Sequence, residues 1–528
     1  MAVYDISLDY DVARNYDDVP AGFARYLVQV DWNNDGDYSD ANEDITDDVL
    51  EVVSTIGRNF ASQLTGKASA GTLEVTVKND TGKYSPFNTS SALTGNLVPN
   101  RTIQFAATIP TATTIWSGYI ESIIPSVQKG PYTTAQIKAF GIFKKFATTN
   151  ARVPMKTSRA TGAAVGDVLD AISWGAGLRD IDTGQTTMTR FFGSGKALNI
   201  MQEVAATEGG FIRETKDGKI AFEDRYHRLS SANSKTSQAT FADDGTAFSY
   251  LGIKQEDSMS LLYNEFQSPV STFTTASVAT VWTHPLANTN GAAPGLEAGE
   301  VIEIIAEYPT PSAAVNAVAI DAWTTPAATT DYLANGAADG TGTNYTSSLA
   351  FTLTKAATTM VMQITNNAAV KVFLTKLQAR GTGVTISDPA TMKASDATSQ
   401  TVYGIRTFPR GNEAKWIPTQ EEAKSWALQN LSSHKQPTAV LTLSYSANQS
   451  GDGLTEALTR DISDRVTIKA SANAKLGLNR DFYVESIRHR VTAGGAHQTT
   501  YSLSDTAGFS GFWVVGSSAL GLDTRLTY

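Results

Sequence analysis

Residues 25–44 read RYLVQVDWNNDGDYSDANED. Tyr26, Val28, Val30 and Trp32 recur at every second position, the period of a half-buried strand. From Asp31 to Asp44 there are six acids, and the count reaches nine by Glu51, with no Lys or Arg between Arg25 and Arg58. A strand, not a helix, therefore runs into a dense block of negative charge. Inside that block, acidic or amide side chains alternate at Asp31, Asn33, Asp35 and Asp37, followed by the hydroxyl of Ser39. Gly36 stands where a calcium loop turns sharply. Calcium takes about six to eight oxygens at about 2.3–2.6 Å. Asp31, Asn33 and Asp35 are expected to offer side-chain oxygens, Asp37 its backbone carbonyl, and Ser39 a direct or water-mediated contact. An EF-hand closes with a bidentate Glu at its twelfth position; this chain has Asn42 there, so Glu43 is the remaining candidate. The expectation is a Ca2+ loop on a β scaffold, with an affinity of about 10⁻⁴–10⁻³ M, as in extracellular modules. The alternative is an Asx-rich turn without metal, since Asn, Asp and Gly favour turns on their own.

Outward from this loop the strand period persists. GTLEVTVKN puts Leu73, Val75 and Val77 on one face, and three further strand-like runs follow before residue 150. Residues 23–150 read as a first β barrel, preceded by an arm over 1–22. Near Thr157 the period changes. Val165, Val168, Leu169 and Ile172 form one helical stripe, a second helix ends at Gly209–Gly210, and Asp217–Gly218 turns a hairpin. Residues 151–230 are therefore expected to be a small α/β unit, and 231–270 a connecting segment. From Gln255 to Thr354 there is no Lys or Arg, and Thr, Ala and Asn dominate. That shift marks a separate module, read as a Thr-rich β-sandwich over 271–398. Thr419 and Glu422 form a capping box before a helix, and strands resume after Pro437. Residues 399–508 read as a second β barrel with one helix, and 509–528 as a C-terminal tail. The fold class is thus mainly β, multidomain, with a small α/β unit, two β barrels and a β-sandwich.

Bulk properties narrow the function. A length of 528 residues suggests about three to four domains. There is no Cys, so disulfide and thiolate chemistry are excluded. The N-terminus lacks a basic start followed by an apolar run, and no stretch is apolar enough for a membrane span. A net charge of −10 and the lack of a basic patch argue against phosphate-backbone binding. Catalytic signatures are missing as well. FFGSGKA resembles a phosphate loop but has Arg190 for the first Gly and Ala197 for the magnesium-binding hydroxyl. Neither H-E-x-x-H nor G-x-S-x-G occurs. His489 and His497 lie in adjoining strand-like segments and could face each other; ordinary strand histidines are the expectation. The chain is therefore expected not to be an enzyme.

VDWNNDGDYSDANEDIT, then GRNFASQLTGKASAGTLEVTVKNDTGKYSPFN, resembles the start of tail hub proteins of long-tailed bacteriophages and related contractile injection machines. GGFIRETKDGKIAFEDR is similar to that family's second domain, and ASDATSQTVYGIRTF, TQEEAKSWALQNL and YVESIRHRVTAGGAHQTTYSLSD to its closing barrel. The resemblance implies a homotrimer in which two barrels per chain make a pseudo-sixfold ring against a tail tube. It implies distal tail, tape-measure, spike or receptor-binding proteins as partners, and DNA that passes through without specific binding. The implied location is the virion tail tip, after synthesis in the bacterial host cytoplasm. A competing reading is a carbohydrate-binding adhesin, in which Trp282, Tyr308, Trp323, Tyr332 and Tyr345 of the sandwich stack on sugars.

Overall fold

The computed structural model describes residues 25–58, 64, 67–108, 112–127, 133–285, 293–310, 314, 316–388, 390–411, 414–506, 512–513 and 525–526. The arm expected over 1–22 and most of the tail expected over 509–528 lie outside the described residues.

Six strands build the first β region: β1 (Arg25–Val30), β2 (Val49–Gly57), β3 (Thr72–Lys78), β4 (Thr102–Thr108), β5 (Ala112–Val127) and β6 (Thr133–Phe140). They pair antiparallel in the order β1-β4-β5-β6-β3-β2. Their two-residue period buries Val28, Val30, Leu73, Val75, Val77, Ile103, Phe105 and Ile137 on one face. Each such side chain contributes roughly 1.5–3 kcal/mol through burial.

Helix α1 (Ile142–Thr148) lies within the range expected for the first barrel, yet Ile142, Phe143 and Phe146 point into a different core. That core belongs to the α/β unit. Its elements are β7 (Asn150–Ala160), α2 (Thr161–Ala171), β8 (Arg179–Ile181), β9 (Thr187–Lys196), α3 (Ala197–Glu208), β10 (Phe211–Glu214) and β11 (Ile220–Glu223). The stripe Val165, Val168 and Leu169 is fully buried, as its spacing predicts. Gly209 ends α3 at φ 75°, the left-handed cap that glycine adopts without steric cost. FFGSGKA is mostly the second half of β9, and Lys196 Nζ donates to the Thr148 carbonyl.

Two helical turns, α4 (His227–Ser230) and α5 (Ala232–Lys235), lead into β12 (Ser237–Ala242) and β13 (Gly252–Ser258). These strands occupy the segment read as a connector. Both belong to the second β region, with partners far along the chain, so no local pattern announces them. Then come β14 (Glu265–Val270) and the sandwich strands β15 (Phe273–Thr283), β16 (Gly295–Leu296), β17 (Val301–Glu307), β18 (Ala317–Trp323), β19 (Tyr332–Asn335), β20 (Leu349–Lys355), β21 (Thr359–Asn366) and β22 (Val372–Ile386). One sheet gathers β15, β16, β18 and β19 around β22; the other runs β17-β21-β20. Ile320, Trp323, Met360, Met362, Leu374 and Leu377 fill the space between them.

β23 (Ala390–Ser395) falls inside the range read as sandwich, but it pairs with β14, which precedes the sandwich. The sandwich is therefore an excursion whose two ends are clasped together. Helix α6 (Ala397–Tyr403) follows, capped by Asp396, and β24 (Thr407–Pro409) completes this small sheet. Helix α7 (Gln420–His434) covers it, placing Trp426, Ala427 and Leu431 against Phe266. Thr419 caps α7 by accepting from the Glu422 N–H at 3.2 Å.

The second β region is β25 (Thr438–Ser446), helix α8 (Gly451–Thr459), β26 (Arg465–Ala470), β27 (Leu478–Thr492) and β28 (His497–Asp505). Strand β27 carries a register shift between Val484 and Ser486 on its β28 side. Its first half pairs with β26, and its second half pairs with β2 of the first region. The two β regions are thus one 12-stranded sheet, and their buried side chains form one contiguous core. Gly57 makes the junction close. At φ 113°, a Cβ there would lie 2.3 Å from the Glu485 carbonyl oxygen and 2.6 Å from Ser486 Cα. Gly57→Ala is expected to lower stability by about 1–3 kcal/mol, through backbone strain and overpacking. A thermal scan checks it, and an unchanged midpoint would show that the junction can open without cost.

Candidate metal centre

Strand β1 delivers Asp31 to the head of the acidic loop, and the loop's far end returns beside the same strand. Val30 N–H donates to the Glu43 carbonyl at 2.9 Å, and Ile45 N–H to the Val28 carbonyl at 3.0 Å. That return covers part of an edge strand and buries Glu43. Left-handed conformations at Asn34, Gly36 and Asn42 fold the chain back within fourteen residues. Trp32 is buried beneath, its indole N–H donating to the Asn42 carbonyl at 3.1 Å.

Asp31, 2% exposed, accepts the N–H groups of Asn34, Asp35 and Gly36 at 2.5, 3.2 and 3.0 Å. One carboxylate oxygen each from Asp31, Asp35 and Glu43 lies within 4.8 Å of the others. Glu43 is 1% exposed. Its Oε2 accepts the Asp40 N–H at 3.0 Å, while its Oε1 is buried with no hydrogen-bond partner. Burial, with the nearby Asp40 and Asp31 charges, raises the Glu43 pKa above the ordinary carboxylate value.

The other expected ligands divide. Asn33 sits over the loop, its amide donating to the Asp35 and Asp40 carboxylates at 2.9 and 2.5 Å. The Asp37 carboxylate stands apart from the three-acid group and accepts both the N–H and the hydroxyl of Ser39 at 2.9 Å. Those bonds lower the Asp37 pKa and occupy the Ser39 hydroxyl. Asp40 was not among the expected ligands, although it follows in the same acidic run.

A second cluster holds the domains together. Glu485 on β27 takes Arg58 Nε at 2.5 Å, Arg228 Nη1 and Nη2 at 2.8 and 3.0 Å, and the Ser504 hydroxyl at 2.5 Å. All three charged groups are 2–4% exposed. Arg58 leaves the first β region, Arg228 comes from α4, and Glu485 belongs to the second region, so one carboxylate ties three parts of the chain. The two guanidinium groups hold its pKa far below the usual range despite burial. Beside it, Arg213 of β10 pairs with Glu223 at 2.6 Å and reaches Asp461 at 3.2 Å.

His489 and His497 do face each other, with 2.9 Å between Nδ1 and Nε2. His497 Nδ1 lies 2.8 Å from the Tyr26 hydroxyl, so the pair bridges β28 to β1. Among the sandwich aromatics, Tyr308, Trp323 and Tyr332 are buried in its core, and Trp282 and Tyr345 pack against that core. Trp323 donates to the Ala356 carbonyl. Three of the five rings thus lie in the module's interior, while Trp282 and Tyr345 are partly exposed at its edge.

No protein-family model and no curated protein sequence matches the chain. Among solved structures, it is similar to the 43 kDa tail protein of prophage MuSo2 from Shewanella oneidensis, at 8% identity and TM-score 0.45, covering 92% of this chain and 99% of that one. It is also similar to the tail protein from Neisseria meningitidis MC58, at 9% identity and TM-score 0.47, covering 93% and 98%. A third is prophage tail protein gp18 from Listeria monocytogenes EGD-e, at 10% identity and TM-score 0.35, covering 90% and 94%.

Proposed function

We propose that this chain is a structural tail hub: three copies form a ring at the distal end of a phage tail tube and join it to the tail-tip, spike or receptor-binding apparatus. The observation that carries the reading is the shared sheet. Two β regions far apart in sequence are fused through β2 and β27 over one core. Such a chain presents two β units side by side as one rigid body. Three copies then offer six units, the number needed to meet a sixfold tube. The sequence signature around the acidic loop and the Tyr84–Asn88 turn supports the same assignment. The buried Arg58–Glu485–Arg228 cluster suits a part that transmits force without bending. A net charge of −10 suits a passage for DNA, because a wall without cationic patches does not hold phosphate.

Native mass spectrometry of the purified chain tests this reading. The expected species has three times the 56.3 kDa chain mass. The same sample is expected not to retard duplex DNA. A species that stays monomeric even with tail-tube protein added, or one that binds DNA tightly, overturns it.

A further inference from the structure

We propose that Asp31, Asp35 and Glu43 hold one calcium ion at the end of strand β1. The inference rests on the loop alone and stands whether or not the chain is a tail hub. Two observations carry it. The first is spacing. Oxygens that bind one calcium at about 2.4 Å can lie no farther apart than about 4.8 Å, the diameter of the coordination sphere. The three carboxylate oxygens meet that limit pairwise. The second is the Glu43 side chain. It is 1% exposed, its Oε1 is buried without a hydrogen-bond partner, and one of its two oxygens lies within 4.8 Å of the Asp31 and Asp35 carboxylates. A buried carboxylate oxygen set beside other carboxylates is costly, because burial removes hydration and the neighbouring charges repel. A divalent cation answers both the missing partner and the like-charge repulsion.

The rest of the shell is at hand. Asn33 bonds Asp35 in both directions, its Oδ1 accepting the Asp35 N–H and its amide donating to the Asp35 carboxylate, and its oxygen joins the shell by exchanging those bonds for the ion. The Asp37 carbonyl and water complete about six to eight ligands. Asp31 already accepts three backbone N–H groups, so the loop is largely organised before the ion arrives. Calcium is favoured over magnesium. Magnesium requires a tight octahedron at about 2.0–2.1 Å and gives up its water reluctantly. In this arrangement the ion ties both ends of the loop to β1, whose register with β4 runs from Arg25 to Val30.

The test is calorimetric titration of the full chain with calcium chloride and, separately, with magnesium chloride. Terbium luminescence excited through the buried Trp32 gives a second readout at the same place. The expected result is one calcium per chain with Kd of about 10⁻⁴–10⁻³ M. Glu43→Gln keeps the acceptor for Asp40 N–H, and Asp35→Asn alters an exposed side chain, so both variants should fold. Each is expected to weaken calcium binding by about ten-fold or more. Asp37→Asn, which keeps the carbonyl ligand and removes a carboxylate outside the group, should leave Kd within about two-fold. No heat with calcium up to about 10 mM, ten-fold above that range, together with no terbium luminescence through Trp32, overturns the proposal. Equal affinity in Glu43→Gln and the parent, or equally tight magnesium, overturns it too.

Discussion

Glu485→Gln is expected to destabilise the chain by about 3–5 kcal/mol, the usual consequence of removing one partner from a buried ion pair. The substitution is nearly isosteric, so packing is kept and charge is lost. Arg58 and Arg228, each 3–4% exposed, would then share a buried site with no carboxylate between them. Ser504, which donates to Glu485, would face an amide in place of an anion. Urea unfolding followed by tryptophan emission measures the loss, and the transition containing the β2–β27 junction should move to lower urea. A triple variant, Glu485→Leu with Arg58→Met and Arg228→Met, should recover most of it, because buried ion clusters are often replaceable by apolar groups of similar volume. An unchanged midpoint in Glu485→Gln would mean that the cluster does not hold the regions together. The pH dependence has a definite sign. The folded pKa of Glu485 is depressed, so its contribution is complete above the unfolded value near 4.3 and is lost as pH falls below it.

How much of this was readable in advance depends on the range of each interaction. Local rules carried the strands and helices. The Val165–Val168–Leu169 stripe, the Gly209 cap, the Gly218 turn and the Thr419 cap all depend on neighbours within a few residues. The acidic loop was equally local, and its spacing brought Asp31, Asp35 and Glu43 together. The Ser39 hydroxyl, two residues from an aspartate, closes a turn with Asp37 over the same short range. Long-range pairing was opaque. β12 and β13 looked like a connector, since an edge strand with partners far along the chain carries weak alternation of its own. The clasp of β14 on β23 was hidden for the same reason. The ion cluster did leave a trace. Glu485, Ile487, His489 and Val491 share one inward face of β27, so two polar residues stand at core positions. A polar residue in phase with core residues needs a partner, but sequence cannot say that Arg58 and Arg228 supply it.

Acidification from pH 7 to 4.5 is expected to weaken the seam between β1 and the second β region through His489 and His497. Both imidazoles are buried, and burial lowers their pKa values, that of His497 to about 4. The groups around them are the Tyr26 hydroxyl from β1, Thr499 from β28 and the more distant Lys216, which further disfavours charge on His489. Tyr26, His497 and His489 form a chain in which each neutral ring can donate once and accept once. A proton on either ring puts a charge on a buried imidazole and forces the chain's donors and acceptors to reverse. The sign follows from the lowered folded values. The unfolded chain takes up protons first, near pH 6.5, so stability is complete above that pH and drains as pH falls towards 4. For His497 alone the loss reaches about 2–3 kcal/mol at pH 4.5. Glu214 and Glu456 act in the opposite sense. Their pKa values are raised to about 7 by burial, so their contribution is complete below the unfolded value and is lost as pH rises through 7. The parent curve therefore mixes both effects, and comparison with a variant separates them. In His489→Gln/His497→Gln the amides can still pass hydrogen bonds but take up no proton. The variant should lose at least about 2 kcal/mol less than the parent between pH 6.5 and 4.5, the share of His497 alone, with the lowered pKa of His489 adding to it; urea midpoints at each pH measure the difference. Parallel curves would remove the histidine pair as the acid-sensitive element. A difference of the expected size would identify Tyr26–His497 as the point where acid loosens the joint between the two β regions.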